Sequence, residues 1–161
     1  MLLALIAILA LYGGVGLLAA IGTVTISRLR FPPRFEHIFF SLLLIPVAVM
    51  YLAFVAYFDK PAAFQLELYA VLCFTALGLA GLRLPGLLIL GWSLHGAWDL
   101  VHEIAGHTSL SSGPLQSFTA IPLAYGVFCA CYDFSMAAYF FTRLPAWRES
   151  MPGRNLPGSA T

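Results

Sequence analysis

"LGWSLHGAWDLVHEIAGH", residues 90–107, carries four titratable side chains within the nine residues from His95 to Glu103, inside an otherwise apolar segment. His95, Asp99 and His102 recur at spacings of four and three residues, so on a helix they share one face with Gly91. A charged side chain at the centre of a lipid bilayer costs about 2.5–3.5 kcal/mol. If this segment spans a membrane, its polar face must point at other helices or at a polar cavity rather than at lipid.

The composition identifies lipid as the solvent for most of the chain. Of 161 residues, 61% are hydrophobic and only 9% are charged. A soluble domain of this size has too small an interior to bury so much apolar surface. The net charge of +1 offers no basic surface, so we expect no nucleic-acid partner. The sequence therefore predicts an all-α integral membrane protein surrounded by membrane lipid.

Five segments meet the length of about 20 mostly apolar residues that a spanning helix needs, and proline, glycine or charged residues separate them. We predict a five-helix transmembrane domain over residues 1–144 and a flexible cytoplasmic tail over residues 145–161. The predicted spans are residues 2–27, 37–58, 62–82, 84–105 and 118–142. The first span lacks the cationic start of a signal peptide, so we interpret it as a retained transmembrane helix.

The distribution of cationic residues predicts the orientation. Seven of the eight Lys and Arg residues fall on one side of the predicted spans, namely Arg28, Arg30, Arg34, Arg83, Arg143, Arg148 and Arg154. Only Lys60 lies in a loop on the other side. Cytoplasmic loops carry the excess of Lys and Arg, so we expect the N-terminus outside and the C-terminus in the cytoplasm, in a bacterial inner membrane.

Two further acidic residues lie within the predicted spans, Glu67 in span three and Asp133 in span five. If spans three, four and five adjoin, their depths predict two polar layers. Glu67, Asp99 and His102 form the outer layer, and His95 and Asp133 lie near the midplane. Ionisable groups inside a membrane are commonly functional, although the same groups could form a hydrogen-bonded network without a ligand.

The helical rise limits how a metal ion could bind. His95 and His102 are seven residues apart, which is about 10.5 Å along a helix, and this spacing disfavours one ion bound by both. Asp99 and His102 could share an ion with Glu67, and His95 and Asp99 could share one with Asp133. Imidazole and carboxylate ligands suit a divalent zinc or iron ion. We assign Asp99, His102 and Glu67 as the metal ligands.

We expect an enzyme that acts on a lipid-soluble small molecule entering laterally from the bilayer. In one version the metal activates water for hydrolysis, and in the other no metal takes part. In both, His95 with Asp133 supplies the acid–base chemistry, which without the metal is isomerisation or cyclisation. The predicted catalytic set is His95, Asp99, His102 and Asp133. The alternatives are a module that binds or transports a hydrophobic ligand, protons or cations, and a structural membrane subunit.

Several other residues receive an interpretation from their position. Gly16 and Ala20 in span one have the spacing of small residues that lets helix backbones pack closely, within the chain or in a homo-oligomer. Glu103 and His107 lie near the outer interface and are expected to be solvated. Glu36 and His37 start span two at the cytoplasmic interface, and we assign them no role.

The motifs "LHGAWDLVHE" and "CACYDF" resemble those of a family of small polytopic membrane proteins whose domain has no known function. The family carries His, Trp-Asp and His at spacings matched by His95, Trp98, Asp99 and His102, and a Cys segment ending in Asp matched by Cys129 and Asp133. The resemblance covers spans three to five. It implies that His95, Asp99, His102 and Asp133 act as a set, and it implies no reaction. The chain departs from the family at Glu103, where a further His is frequent, and at Phe134, where Pro is frequent.

Overall fold

The computed structural model describes residues 2–107 and 118–151, and within them it contains five α-helices and no strand. The all-α prediction is therefore confirmed. The helices are α1 (Leu2–Arg30), α2 (Pro33–Tyr57), α3 (Phe64–Gly81), α4 (Pro85–His107) and α5 (Tyr125–Glu149). A short 3-10 helix, Pro61–Ala63, precedes α3.

Prolines mark the beginnings of several helices. Pro33 and Pro85 are the first residues of α2 and α4, where the missing N–H of proline has no helical partner to lose. Helix α5 begins at Tyr125 rather than at residue 118, after Ala124 adopts a left-handed conformation with φ of 59°. It ends at Glu149 rather than at residue 142. Residues 145–149 of the predicted tail are thus helical, and the part beyond residue 151 lies outside the described residues.

Among the described residues, three helices are long and apolar enough to cross a membrane: Leu5–Arg30, Pro33–Tyr57 and Pro61–Gly81. These helices support a membrane location. Helices α4 and α5 are as long as the others, but their polar residues keep them outside this group. The criterion of helix length and apolar composition therefore identifies three spans among the described helices, whereas the sequence analysis predicts five.

Helix α4 packs between α3 and α5, and α2 lies against α3 while also contacting α4 and α5. This arrangement supplies the contacts between spans three, four and five that the polar layers require. A wholly buried apolar cluster fills the centre of the bundle on one side of these layers, and it includes Phe40, Leu44, Leu88, Trp92, Met136 and Phe140. Gly91 lets α4 approach that cluster, because an added Cβ would lie 2.7 Å from Leu44 Cδ2.

Helix α1 packs chiefly against α5. A Cβ on Gly16 would lie 2.3 Å from the backbone oxygen of Phe128, so the two helices cross in close contact at this glycine. Ala20, one turn later, is buried as well. The small residues of span one therefore serve close helix packing as predicted, and the structure places this contact within the chain.

Candidate functional site

One buried group, called the midplane cluster after its predicted depth, consists of His95 and Asp99 on α4, Asp133 on α5 and Tyr51 on α2, and each is at most 2% exposed. His95 Nδ1 lies 2.7 Å from Asp133 Oδ2 and 3.4 Å from Asp99 Oδ2. The Tyr51 hydroxyl donates a hydrogen bond to Asp99 Oδ1. Three helices thus contribute one imidazole, two carboxylates and one phenol to a single buried site.

Local sequence explains why these groups meet. The i, i+4 spacing places His95 and Asp99 on one face of α4. Gly96 leaves room for α5, since its absent Cβ would lie 3.1 Å from Asp133 Cβ. Gly126, two turns before Asp133 on α5, likewise lets the two helices approach, because a Cβ there would lie 2.4 Å from the backbone oxygen of Asp99. Glycines on both helices therefore let α4 and α5 approach closely enough to join His95 to Asp133.

Two atoms of the midplane cluster, His95 Nε2 and Asp99 Oδ2, are buried without a hydrogen-bond partner among the described residues. Nδ1 of His95 faces two carboxylate oxygens, and where these are ionised they are acceptors only, so that Nδ1 is the nitrogen that carries a proton. In the neutral imidazole Nε2 then presents its lone pair. Asp133 fixes this tautomer as a hydrogen-bond acceptor, and the arrangement leaves a proton-accepting nitrogen in a site that excludes bulk water.

Charge balance adds a second property of the midplane cluster. Two buried carboxylates share one imidazole, and no Lys or Arg contacts them in the described ion pairs. An uncompensated charge in such surroundings is costly. The cluster is therefore suited to hold an additional proton or a bound cation.

His95, Asp99 and Asp133 can each offer one ligand atom, and these atoms all lie within 4.8 Å of one another. Ligand atoms about 2 Å from a common zinc ion lie at most about 4 Å apart, so a small inward movement of these side chains would bring them to bonding distance. The three residues could therefore hold a metal ion. They are the second of the two ligand sets that the sequence left open. Among the described residues, the ligand atoms of Asp99, His102 and Glu67 do not converge in such a group. That first set stays a prediction without a matching geometry.

The outer layer contains a separate buried pair, His102 and Glu67. His102 Nε2 lies 2.8 Å from Glu67 Oε1, and His102 Nδ1 lies 2.9 Å from the backbone oxygen of Trp98. The Trp98 indole and the Thr119 amide also donate to Glu67, at 3.3 and 3.2 Å. Since both nitrogens of His102 face acceptors, either the imidazole is doubly protonated or Glu67 carries the proton. The structure thus contains two separate buried polar groups, and Asp99 contacts His95 rather than His102 and Glu67, with which the sequence analysis had grouped it.

Glu103 is buried, with 5% of its surface exposed, rather than solvated as expected. Its two carboxylate oxygens accept hydrogen bonds from the amides of Ala124 and Gly126, each at 3.0 Å. Free amides at a helix N-terminus favour a negatively charged partner. Glu103 thereby joins α4 to the beginning of α5. His107, which was expected in the outer loop, is the last residue of α4.

Sequence reasoning also missed Glu36, which is completely buried at the opposite end of the bundle. Its carboxylate accepts hydrogen bonds from Ser27, Tyr139, Arg143 and Trp147, those from Arg143 and Trp147 both at 2.9 Å. These four donors satisfy the buried carboxylate. Glu36 and its partners thus form a structural junction between α1, α2 and α5, which we call the Glu36 junction. The signal available in the sequence was an acidic residue beside a predicted apolar span, which does not identify its distant partners.

His37, next to Glu36, is also buried. Its Nε2 lies 2.8 Å from the backbone oxygen of Gly81, and its ring stacks on Trp147 with centroids 5.0 Å apart. These contacts connect the end of α3 to the same junction. Tyr51 is the other residue that sequence reasoning missed, because a tyrosine within an apolar helix carries no signal of its own.

The chain belongs to a family of unknown function, DUF6010, whose sequence profile matches residues 15–146. The match extends beyond spans three to five, to which the resemblance was assigned, and includes most of α1 and all of α2. No curated protein and no solved structure gives a significant match to the chain.

Proposed function

We propose that this member of a family of unknown function is a membrane-embedded enzyme that moves protons on a lipid-soluble small molecule. The observation that carries the proposal is the contact of 2.7 Å between His95 Nδ1 and Asp133, combined with the unpartnered, buried Nε2. A histidine whose tautomer is set by a carboxylate, and whose other nitrogen is available, has the arrangement of a general base.

The proposed reaction is an isomerisation or cyclisation that consumes no co-reactant. His95 Nε2 accepts a proton from one position of the substrate, exchanges it with the neighbouring acidic groups and with water, and returns a proton to another position. Asp133 stabilises the imidazolium that exists between these two steps. Tyr51 orients Asp99 through its hydrogen bond to Oδ1, so that Oδ2 faces the same site as a second proton-exchanging group. His102 and Glu67 support α4 in the outer layer.

A second candidate is a metal-dependent hydrolase that uses the same three residues. The specific observation in its favour is the convergence of ligand atoms from His95, Asp99 and Asp133 within 4.8 Å. A divalent zinc or iron ion bound there would neutralise the two carboxylates and would supply an activated water for hydrolysis. In this version His95 is a ligand, and the general base must come from another group.

The apolar centre of the bundle favours an enzyme over a path for protons or cations. The Glu36 junction and the midplane cluster lie on either side of this centre. Between them lie Phe40, Trp92 and Phe140, which are fully buried and pack ring against ring. A continuous proton path would need polar groups or water through this aromatic layer.

Five spans with the N-terminus outside remain the proposed topology. The polar side chains of α4 point into the bundle, while its exposed residues are apolar, among them Leu90, Leu94 and Ile104. This distribution suits a helix that faces lipid on one side. The contact between Arg143 and Glu36 brings the end of α5 to the start of α2, which supports a common side for the cationic loops. We place this side in the cytoplasm of a bacterial cell.

Isotope incorporation tests the two chemistries with the same purified protein in liposomes that contain a bacterial lipid extract. In deuterated water, an acid–base enzyme transfers deuterium to a carbon-bound position of one lipid, which mass spectrometry detects. In ¹⁸O-labelled water, a hydrolase produces a labelled product instead, and metal analysis of the protein should give a stoichiometric ion. We expect deuterium incorporation with the natural chain and at least a hundredfold less with His95→Gln.

His37→Gln is the matched control, because it alters a buried histidine at the other end of the bundle. It should retain deuterium incorporation if the variant is folded. Equal incorporation by His95→Gln and the natural chain would contradict the proposed base. A stoichiometric metal together with ¹⁸O transfer would replace the acid–base proposal by the hydrolase.

A further inference from the structure

A groove between α3 and α4 opens on the outer surface of the helix bundle, which faces lipid in the proposed topology. It has a volume of about 460 Å³, within the range of small-molecule sites. Its lining is almost entirely apolar and includes Tyr69, Cys73 and Phe74 from α3 and Leu94, Trp98 and Val101 from α4. Tyr69 and Leu94 are exposed, so a molecule can enter this groove from the bilayer.

The inner wall of the groove is shared with both polar layers. Phe74 lines the groove and also contacts the His95 ring edge to face, with centroids 4.9 Å apart. Trp98 lines the groove and donates from its indole nitrogen to Glu67. Phe74 is therefore the side chain that stands between the groove and His95 of the midplane cluster.

Charge restricts what can occupy this groove productively. The polar groups behind its wall include the carboxylates of Glu67, Asp99 and Asp133, and no Lys or Arg lines the groove or pairs with these carboxylates among the described contacts. An anionic head group would meet like charges there and would also lose its hydration near the midplane. A neutral group avoids both costs.

We propose that this groove binds the hydrocarbon chain of an uncharged, single-chain lipophile, and that Phe74 separates the bound chain from His95. The substrate class that follows is a neutral lipid such as a long-chain alcohol or an olefin, and lipids with anionic head groups are excluded. This inference rests on the proposed function for its link to a substrate, whereas binding in the groove can be measured without any turnover.

The test uses a long-chain alcohol that carries a photoactivatable diazirine, with the corresponding fatty acid as its anionic counterpart. The full chain in liposomes is irradiated with each probe, and the labelled positions are mapped by mass spectrometry. We expect the alcohol to label Tyr69 and Val101 at least tenfold more than Leu18, an exposed position on α1 that reports bulk lipid. The fatty acid should label the groove at least tenfold less than the alcohol.

Ala97→Trp places a large side chain in the groove, because Ala97 is an exposed lining residue. This variant should lose groove labelling tenfold or more. Ala138→Trp is the matched control on the exposed surface of α5 and should label as the natural chain does. Equal labelling of Ala97→Trp and Ala138→Trp, or equal labelling by alcohol and acid, would overturn the inference.

The two proposals fail in different measurements. Loss of deuterium incorporation in every sample, with intact alcohol labelling that Ala97→Trp removes, would refute the enzyme and leave the groove as a binding site. Deuterium incorporation that persists in Ala97→Trp would refute the groove as the substrate site and leave the enzyme standing.

Discussion

Replacing Gly16 by alanine should separate α1 from α5. An added Cβ would lie 2.3 Å from the backbone oxygen of Phe128 and 3.1 Å from its carbonyl carbon. A close carbon–oxygen contact measures about 3.3 Å, so the helices must move apart by about 1 Å. The clashing atoms belong to the backbone, and no rotamer change can relieve the contact.

The magnitude follows from two opposing terms. A gap of about 0.5–1 Å removes a quarter to a half of the dispersion attraction across an interface, and overpacking typically costs about 1–3 kcal/mol. Alanine also favours the helix over glycine by roughly 0.5–1 kcal/mol. We therefore expect Gly16→Ala to lower the free energy of unfolding by about 1–2 kcal/mol.

The assay is reversible unfolding in mixed micelles, monitored by helical circular dichroism during a titration with sodium dodecyl sulfate. Gly14→Ala and Gly22→Ala are matched controls, because a Cβ at either glycine meets nothing within 4 Å. Both controls should leave the free energy of unfolding unchanged or raise it by up to about 0.5–1 kcal/mol. The contrast in sign between Gly16 and its neighbours is the expected result.

Cross-linking provides an independent measurement of the same contact. A Cβ at Gly13 would lie 3.2 Å from Cys131 Sγ, so Gly13→Cys should form a disulfide with Cys131 inside one chain under oxidation. Disulfides that form only between copies would indicate that α1 packs in an oligomer instead. If Gly16→Ala proved as stable as Gly14→Ala and no internal disulfide formed, the packing of α1 on α5 would be refuted.

Three further predictions concern the buried acidic residues and the topology. Glu36→Ala should lower the free energy of unfolding by on the order of 3 kcal/mol in the same titration, because it leaves Arg143 and three other donors without their acceptor. Glu103→Ala should cost about 0.5–2 kcal/mol, since the amides at the start of α5 lose their cap. On intact cells, a membrane-impermeant maleimide should label Asp59→Cys from outside and should label Ser150→Cys only after the membrane is opened.

Glu149→Ala is the control for both acidic substitutions, because Glu149 lies at the exposed end of α5. Its effect should stay within about 0.5 kcal/mol. An effect of Glu36→Ala no larger than this would show that the Glu36 junction does not stabilise the bundle. Labelling of Ser150→Cys on intact cells would invert the proposed orientation.

The inward direction of the polar face of α4 was predictable because hydrocarbon penalises every exposed charge on that helix. The spacing of His95 and Asp99 likewise predicted that they share a face, and depth predicted that Asp133 meets His95. The choice of partner for Asp99 was not predictable. It depends on the Tyr51 hydroxyl of α2, and an apolar helix can present a tyrosine to lipid, to the interface or to a polar site with the same local sequence.

Glu103, which was expected to be solvated, and Glu36, which was assigned no role, illustrate the same limit. Glu103 and Glu36 lie near the ends of predicted spans, where solvation is a reasonable expectation from depth alone. Their burial depends on amides of α5 in one case and on Arg143 and Trp147 in the other. These partners are distant in the chain, and only the packing of the helices brings them to the carboxylates.

By itself, the amino-acid sequence determined that this chain consists of apolar helices with an inward-facing histidine and aspartate stripe, because the cost of charge in lipid acts on each helix separately. Only the tertiary structure decided which carboxylate meets which imidazole and which atoms remain unpartnered. Those outcomes depend on differences of a few tenths of an ångström in the distances between helices. One example is the close approach of α5 to Asp99, which Gly126 permits.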